Sequence, residues 1–235
     1  MKRAISGGLL AIAAAMLFVT QVALGAVPLV EVGDKIKFAD SFGSSPGGAF
    51  ELTVYDSSGA IAKGSFQSFC IETNENISFG PFYGVGDIST MARLGGSGGS
   101  IGSPSHDPLD PRTAWLYTQY VENTGALNSV TGWGAAGADA RGTAMQQAIW
   151  RIEEESQYIN SNSLADALIT AASAAGWQDT GRVYVLNLLN SGGGHAQDQL
   201  YIAPIPEPEI YAMLGIGLGL LGWVGRRKKL LAATA

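Results

Sequence analysis

The sequence predicts an α+β domain built on an antiparallel β-sandwich or barrel-like sheet with a helical insertion, set between a removable N-terminal leader and a C-terminal membrane helix. Three observations predict it. Short alternating segments rich in β-branched and aromatic residues fill the first part of the body, helix-periodic segments follow, and strand character returns before the tail. Both ends carry the charge-flanked apolar runs of membrane-directed segments.

In chain order, Lys2 and Arg3, the apolar stretch Ile5 to Val19 and the small residues Ala23-Leu24-Gly25-Ala26 form the three regions of a secretory signal peptide over 1–26. Leu29 to Phe38 alternates near its end as a half-buried strand does. Phe50 to Tyr55 and Ala60 to Ile71 read as a hairpin across the turn residues Asp56-Ser57-Ser58-Gly59, and Ile77 to Val85 as a further strand. Gly95 to Pro111 is loaded with Gly, Ser, Pro and Asp and predicts an exposed loop. Its His106, Asp107 and Asp110 are potential metal ligands. Pro104, Pro108 and Pro111 break the regular oxygen spacing a calcium loop needs, so no metal is predicted.

A helix follows from Pro111 or Arg112, with Trp115, Leu116, Gln119 and Tyr120 at spacings of three and four. A second is predicted from about Ala138 to Glu155, and a third from Ser163 to Ala174, stopped by Gly176. Gly181 to Leu189 and Gln199 to Ala203 return to strand character around the turn Gly192-Gly193-Gly194. The exported domain is therefore expected over 27–203, with no internal repeat.

The tail, 204–235, opens on Pro206-Glu207-Pro208, continues in an apolar helix over 210–225 and closes on Arg226, Arg227, Lys228 and Lys229. About fifteen apolar residues at ~1.5 Å each span roughly 22 Å, short of a ~30 Å hydrocarbon core but extendable by snorkelling cations. The basic cluster holds its own end in the cytoplasm, so everything before the helix is translocated. This order of triplet, Gly-rich apolar helix and terminal cations closely resembles the PEP-CTERM protein-sorting signal. The resemblance implies recognition by exosortase, a transpeptidase-like membrane enzyme of Gram-negative bacteria that make extracellular polysaccharide. It also implies an inner-membrane intermediate, and then the cell surface, outer membrane or extracellular matrix.

Of the 14 basic residues, Lys2, Arg3 and the four closing the tail lie outside 27–225, which leaves 8 against all 20 acidic residues and a net charge of −12 over 27–225. An acidic exported body argues against nucleic acid as a partner.

The body's distinctive chemistry sits at Cys70, in Phe69-Cys70-Ile71-Glu72, and at Gln146, in Gln146-Gln147-Ala148-Ile149-Trp150. Cys70 is the sole cysteine. An exported thiol is expected to be buried, paired between chains or committed to an internal bond. The last case is a thioester, in which the sulfur attacks a glutamine side-chain carbonyl and expels ammonia. On the helical wheel Met145, Ala148, Ile149 and Ile152 form one apolar face, Gln146 flanks it and Gln147 points away, so Gln146 is the glutamine able to meet a core strand.

Phe69-Cys70-Ile71-Glu72, Ala114-Trp115-Leu116-Tyr117 and Gln146 through Ile152 together resemble the Cys-Gln thioester domains of bacterial surface adhesins, with Met145 in the position where that family carries Thr. The resemblance implies that Cys70 is the acyl carrier and Gln146 the acyl donor toward an amine-bearing partner.

Catalytic readings are weaker. Cys70 falls in mid-strand, away from the helix N-terminus or exposed turn that activates a nucleophile, with only His106 and His195 to serve it. Glu153, Glu154 and Glu155 occupy different helix faces and predict a solvated acidic run. Trp133, Trp150 and Trp177 are expected in the core. The sequence thus predicts an exported surface or matrix protein without catalytic residues, cofactor or metal. An adhesin-like module stands first, a structural matrix component with a buried free Cys70 in contact with extracellular polysaccharide second, and a secreted hydrolase third.

Overall fold

The computed structural model describes residues 27–44, 47–73, 75–93, 107–155 and 161–205, with 215, 216 and 218 of the tail. The predicted leader, His106, the Pro206-Glu207-Pro208 triplet, the four terminal cations and most of the predicted tail helix lie outside the described residues. No helix among the described residues is long and apolar enough to cross a membrane.

Among the described residues, eight strands and three helices follow in the order β1 (Lys35–Gly43), β2 (Gly48–Tyr55), β3 (Ala62–Ser68), β4 (Tyr83–Ser89), β5 (Met91–Ala92), β6 (Asp107–Pro108), α1 (Pro111–Glu122), α2 (Ala138–Ile152), α3 (Ser163–Ala175), β7 (Val183–Leu189) and β8 (His195–Ile202). A 3-10 helix, Ala126–Ser129, joins α1 to α2. Six strands make one antiparallel sheet in the order β3-β2-β1-β4-β7-β8, and β5 pairs with β6 separately. The chain just beyond β3 bridges β8 at Cys70 and Gln199, so the two ends of the sheet meet and it curls into a barrel. The mixed α+β character and the antiparallel sheet are as the sequence predicts.

Alternation along the strands sorts side chains into two cores. Ile36, Phe38, Leu52, Val54, Phe66, Tyr83, Leu186, Leu188 and Tyr201 fill the barrel. Their neighbours of opposite parity, among them Phe69, Ile71, Val183, Val185, Leu200 and Ile202, face outward against Leu116, Tyr117, Met145, Ala148, Ile149 and Leu168 of the helices. The three helices therefore form an outer layer on one side of the barrel.

Local chemistry sets the helix ends. The Asp110 carboxylate caps α1 by accepting from Arg112 N at 2.7 Å, with Pro111 at the first helical position. The Asn162 side chain caps α3 through Leu164 N and Ala165 N, and Gly176 ends it in the left-handed region. α2 lies between β1 and β2 on one side and α3 on the other. A Cβ on its Gly142 would fall 2.0 Å from the Phe42 carbonyl oxygen, so only glycine lets β1 lie this close.

Several boundaries differ from expectation. β1 begins at Lys35 because Glu31 to Asp34 turn back on themselves, with Glu31 N donating to the Asp34 carboxylate at 2.8 Å. It then runs on to Gly43 and makes a hairpin with β2 that the alternation did not reveal. β4 begins at Tyr83, since Gly80 takes a φ of +110° and turns the chain before it. α2 ends at Ile152, and Glu154 adopts a left-handed φ of 60°. The acidic run after it is not solvated: Glu153 and Glu155 are buried beneath neighbouring loops, and Glu154 alone faces solvent. Part of the expected loop before α1 is ordered as β6, with Asp107 opposite Ala92.

Candidate functional site

The β2–β3 ladder ends at Phe50 and Ser68. Beyond it the chain pairs with β8 instead: Leu200 N donates to Phe69 O at 3.1 Å and Ile71 N donates to Asp198 O at 3.2 Å. Antiparallel pairing presents the main-chain groups of successive residues to opposite sides, so the N–H and C=O of Cys70 face away from β8. Continuing the β2 register would put Gly48 there. The side chain of Gln146 takes that place.

Its amide makes two hydrogen bonds to the main chain of Cys70. Cys70 N donates to Gln146 Oε1 at 3.0 Å, and Gln146 Nε2 donates to Cys70 O at 2.7 Å. Both residues are buried, Gln146 completely. The chain at the tip of the β1–β2 hairpin steps aside to admit the amide, and a Cβ on Gly47 would fall 2.8 Å from Gln146 Cγ and 2.7 Å from the Trp150 ring. That tip is pinned to α2 by Ser44 N donating to Thr143 Oγ1 at 3.0 Å and Gly43 N donating to Asp139 Oδ1 at 3.3 Å.

The thiol of Cys70 is free. Gln199, across the closing bridge, donates from Nε2 toward Sγ at 3.5 Å. Burial pushes the thiol up to about 12, and the nearby charge of Glu72 adds to the rise while the Gln199 amide opposes it. A low-pKa nucleophile poised for a hydrolytic reaction is the opposite of this arrangement. His195 lies exposed at the start of β8.

Carboxylates lock the loops around the pair. Glu155 accepts from Thr73 N at 3.0 Å, and Asp198 accepts from Arg93 N, Asn187 Nδ2 and Leu188 N. Burial raises Asp198 to about 6 and Glu153, which accepts from Asp110 N at 3.3 Å, to about 8. No group of three His, Cys, Asp or Glu side chains able to hold a metal occurs among the described residues.

The structure thus brings Cys70 and Gln146 together, and buries Trp150 and Trp133 while leaving Trp177 half-buried. Gln147, which the wheel turns away from the apolar face, is nonetheless only 6% exposed, because α3 and α1 cover that side of α2. Its Oε1 has no hydrogen-bond partner among the described residues. Sequence reasoning also missed Gln199. The signal was available in Gln197, Asp198 and Gln199, three successive polar residues held between the apolar Ala196 and Leu200 of one strand.

The chain ends in an address for export and sorting at the membrane. Residues 204–229 match the PEP-CTERM protein-sorting motif, which marks the chain for exosortase-type processing. No curated protein and no solved structure matches the chain.

Proposed function

We propose that this is an exported surface protein whose domain stores an acyl group as a Cys70–Gln146 thioester and releases it to an amine on a partner. The observation that carries the reading is the double hydrogen bond between the Gln146 amide and the Cys70 main chain. Those two bonds hold the amide carbon beside the residue that bears the only thiol, and reaction between oriented neighbours needs no further encounter.

The chemistry balances within the pair. Sγ attacks Gln146 Cδ, the C–N bond breaks, and the thiol proton leaves on ammonia. The Cys70 N–H already donates to Oε1, where negative charge develops in the tetrahedral intermediate. Gln199 Nε2 opposes the cost of charge on sulfur. The resulting acyl–sulfur bond would be shielded from water by the same burial that raises the thiol. An arriving primary amine then attacks Cδ, the sulfur leaves, and a secondary amide and a free thiol remain.

The second reading is a passive matrix component. It is favoured by the same two bonds, which satisfy both buried main-chain groups of Cys70 without any reaction. Intact mass of the purified, processed protein separates the two: a deficit of one ammonia supports the thioester, and full mass with one titratable thiol after unfolding rejects it.

A further inference from the structure

Where β1, α1, the 3-10 helix and the start of α2 come together lies a cavity of about 220 Å³. Among the described residues, Arg141 is the one charged group that lines it. Its guanidinium is fixed in place: Nε donates to Trp133 O at 2.8 Å, Nη2 donates to Gly134 O at 3.2 Å, and the group lies 5.3 Å from the centre of the Trp133 ring. Arg112, Arg151 and Arg182 each pair with a carboxylate, whereas Arg141 pairs with none among the described residues. Nη1 and the second hydrogen of Nη2 remain as an open edge. The start of α2 adds positive potential. Ala138, its first residue, lines the cavity, and the N-cap Gly137 has no side chain to accept from the first N–H groups.

A second, separate group lines the same cavity unpartnered. Gln119 is only 8% exposed; its Oε1 accepts from Thr124 Oγ1, and its Nε2 has no partner among the described residues. A buried amide donor of this kind costs stability until something accepts from it. Asn123 and Asn128 stand exposed in the same lining, and their side chains make no hydrogen bond among the described residues. Phe42, 43% exposed, and the half-buried Tyr120 supply ring surface.

We infer that this cavity binds one hexuronate residue, a six-membered sugar ring that carries a carboxylate. The carboxylate pairs with the open edge of Arg141 through two parallel hydrogen bonds. Side-chain amides both donate and accept, which matches neighbouring hydroxyls that do the same. The aromatic rings take the C–H face of the sugar, whose slightly positive hydrogens meet the negative face of a π-system. Other anions leave part of the site idle. A phosphate or sulfate uses Arg141 and neither the rings nor the amides, and a peptide C-terminus has no row of hydroxyls for Gln119, Asn123 and Asn128. The volume lies below the ~300–1,000 Å³ of drug-sized pockets, so the cavity takes one ring of a chain. The charge of −12 over 27–225 opposes a uronate at long range, but salt screens that repulsion beyond about 10 Å while Arg141 acts in contact. The site uses neither Cys70 nor Gln146, so it stands whether or not the acyl bond forms.

The test is amide NMR on the processed protein, titrated at about 0.15 M salt with the methyl glycosides of glucuronate, galacturonate and mannuronate. Methyl glucoside, acetate, inorganic phosphate and N-acetyl-alanine are the comparators. At least one uronate is expected to give saturable shifts at Gly125, Asn128 and Ala138, with every comparator binding at least tenfold more weakly. Arg141→Gln should weaken the uronate at least tenfold. Because Arg141 also fastens the turn at Trp133 and Gly134, Asn128→Ala and Phe42→Ala provide a second arm: both change exposed side chains, both should keep the spectrum elsewhere, and each should weaken the uronate at least threefold. Absence of saturable shifts from all three uronates would overturn the inference, as would equal binding of methyl glucoside. Equal binding of acetate or phosphate would reduce the site to an anion contact, and tighter binding of N-acetyl-alanine would assign it to a peptide end; either result rejects the sugar. Uronate binding unchanged in both Asn128→Ala and Phe42→Ala would place the ligand elsewhere and reject this cavity.

Discussion

Gln146 pairs with Cys70 as a strand residue would, through one donated and one accepted hydrogen bond at 2.7 and 3.0 Å, although it reaches there from a helix. The ladder of β2 stops two residue pairs short of the Gly48–Cys70 pair its register allows, and the glutamine amide takes that place. The geometry explains why a polar side chain with no solvent exposure is tolerated at the centre of the domain.

Gln146→Ala therefore leaves a buried N–H and a buried C=O without partners. Each such group costs about 1–3 kcal/mol, so a loss of about 2–6 kcal/mol in chemical denaturation is expected. Gln147→Leu should be neutral or stabilising, because it removes a buried amide whose Oε1 finds no partner among the described residues. Equal losses at the two positions would show that the Cys70 bonds do not set the energetics of this helix.

Much of this was legible in the sequence and part was not. The strand segments, the three helices and the meeting of Cys70 with Gln146 could be read from period, turn chemistry and one apolar face. The burial of Gln147 and Glu153 could not, because a helical wheel reports which side of a helix is apolar and not whether a second layer covers the other side. α3 is that layer for Gln147. The role of Gly47 was not legible either, because only the folded hairpin shows it packed against Gln146 and Trp150.

Glu153 makes stability depend on pH in an unusual direction. Burial raises its carboxyl to about 8, so the folded domain holds a proton that the unfolded chain, at the ordinary carboxylate value, releases. Between about pH 4.5 and 8 the folded state binds more protons than the unfolded state, and stability falls as pH rises through that window. Glu153→Gln should be more stable than wild type at pH 8 by up to a few kcal/mol and lose this part of the slope. Parallel pH profiles of the two proteins would contradict the assignment.

Gly142→Ala places a Cβ 2.0 Å from the Phe42 carbonyl oxygen, which must push β1 off α2. Overpacking of this kind costs about 1–3 kcal/mol, and thermal denaturation should show it. Gly134→Ala, where nothing lies within 4 Å of the added atom, is the matched control and should change stability by less than ~0.5 kcal/mol. A silent Gly142→Ala would mean that the hairpin and helix are not in close contact.

Replacing Glu207 and Pro208 removes the triplet within the matched sorting motif while keeping the apolar run and its cations. Full-length protein should then accumulate in the inner membrane, as read by fractionation and immunoblotting. Normal release of the variant would show that the triplet is not what the processing enzyme recognises.

The acyl-transfer reading meets its most direct test in methylamine treatment followed by peptide mass mapping. The account predicts that the native protein starts one ammonia light, takes up a single methylamine at Gln146 and gains one reactive thiol at Cys70, with no uptake in Cys70→Ala or Gln146→Ala. Full starting mass, no uptake and an unreactive thiol in the native protein would leave Gln146 as a hydrogen-bonded cap on a strand edge and nothing more.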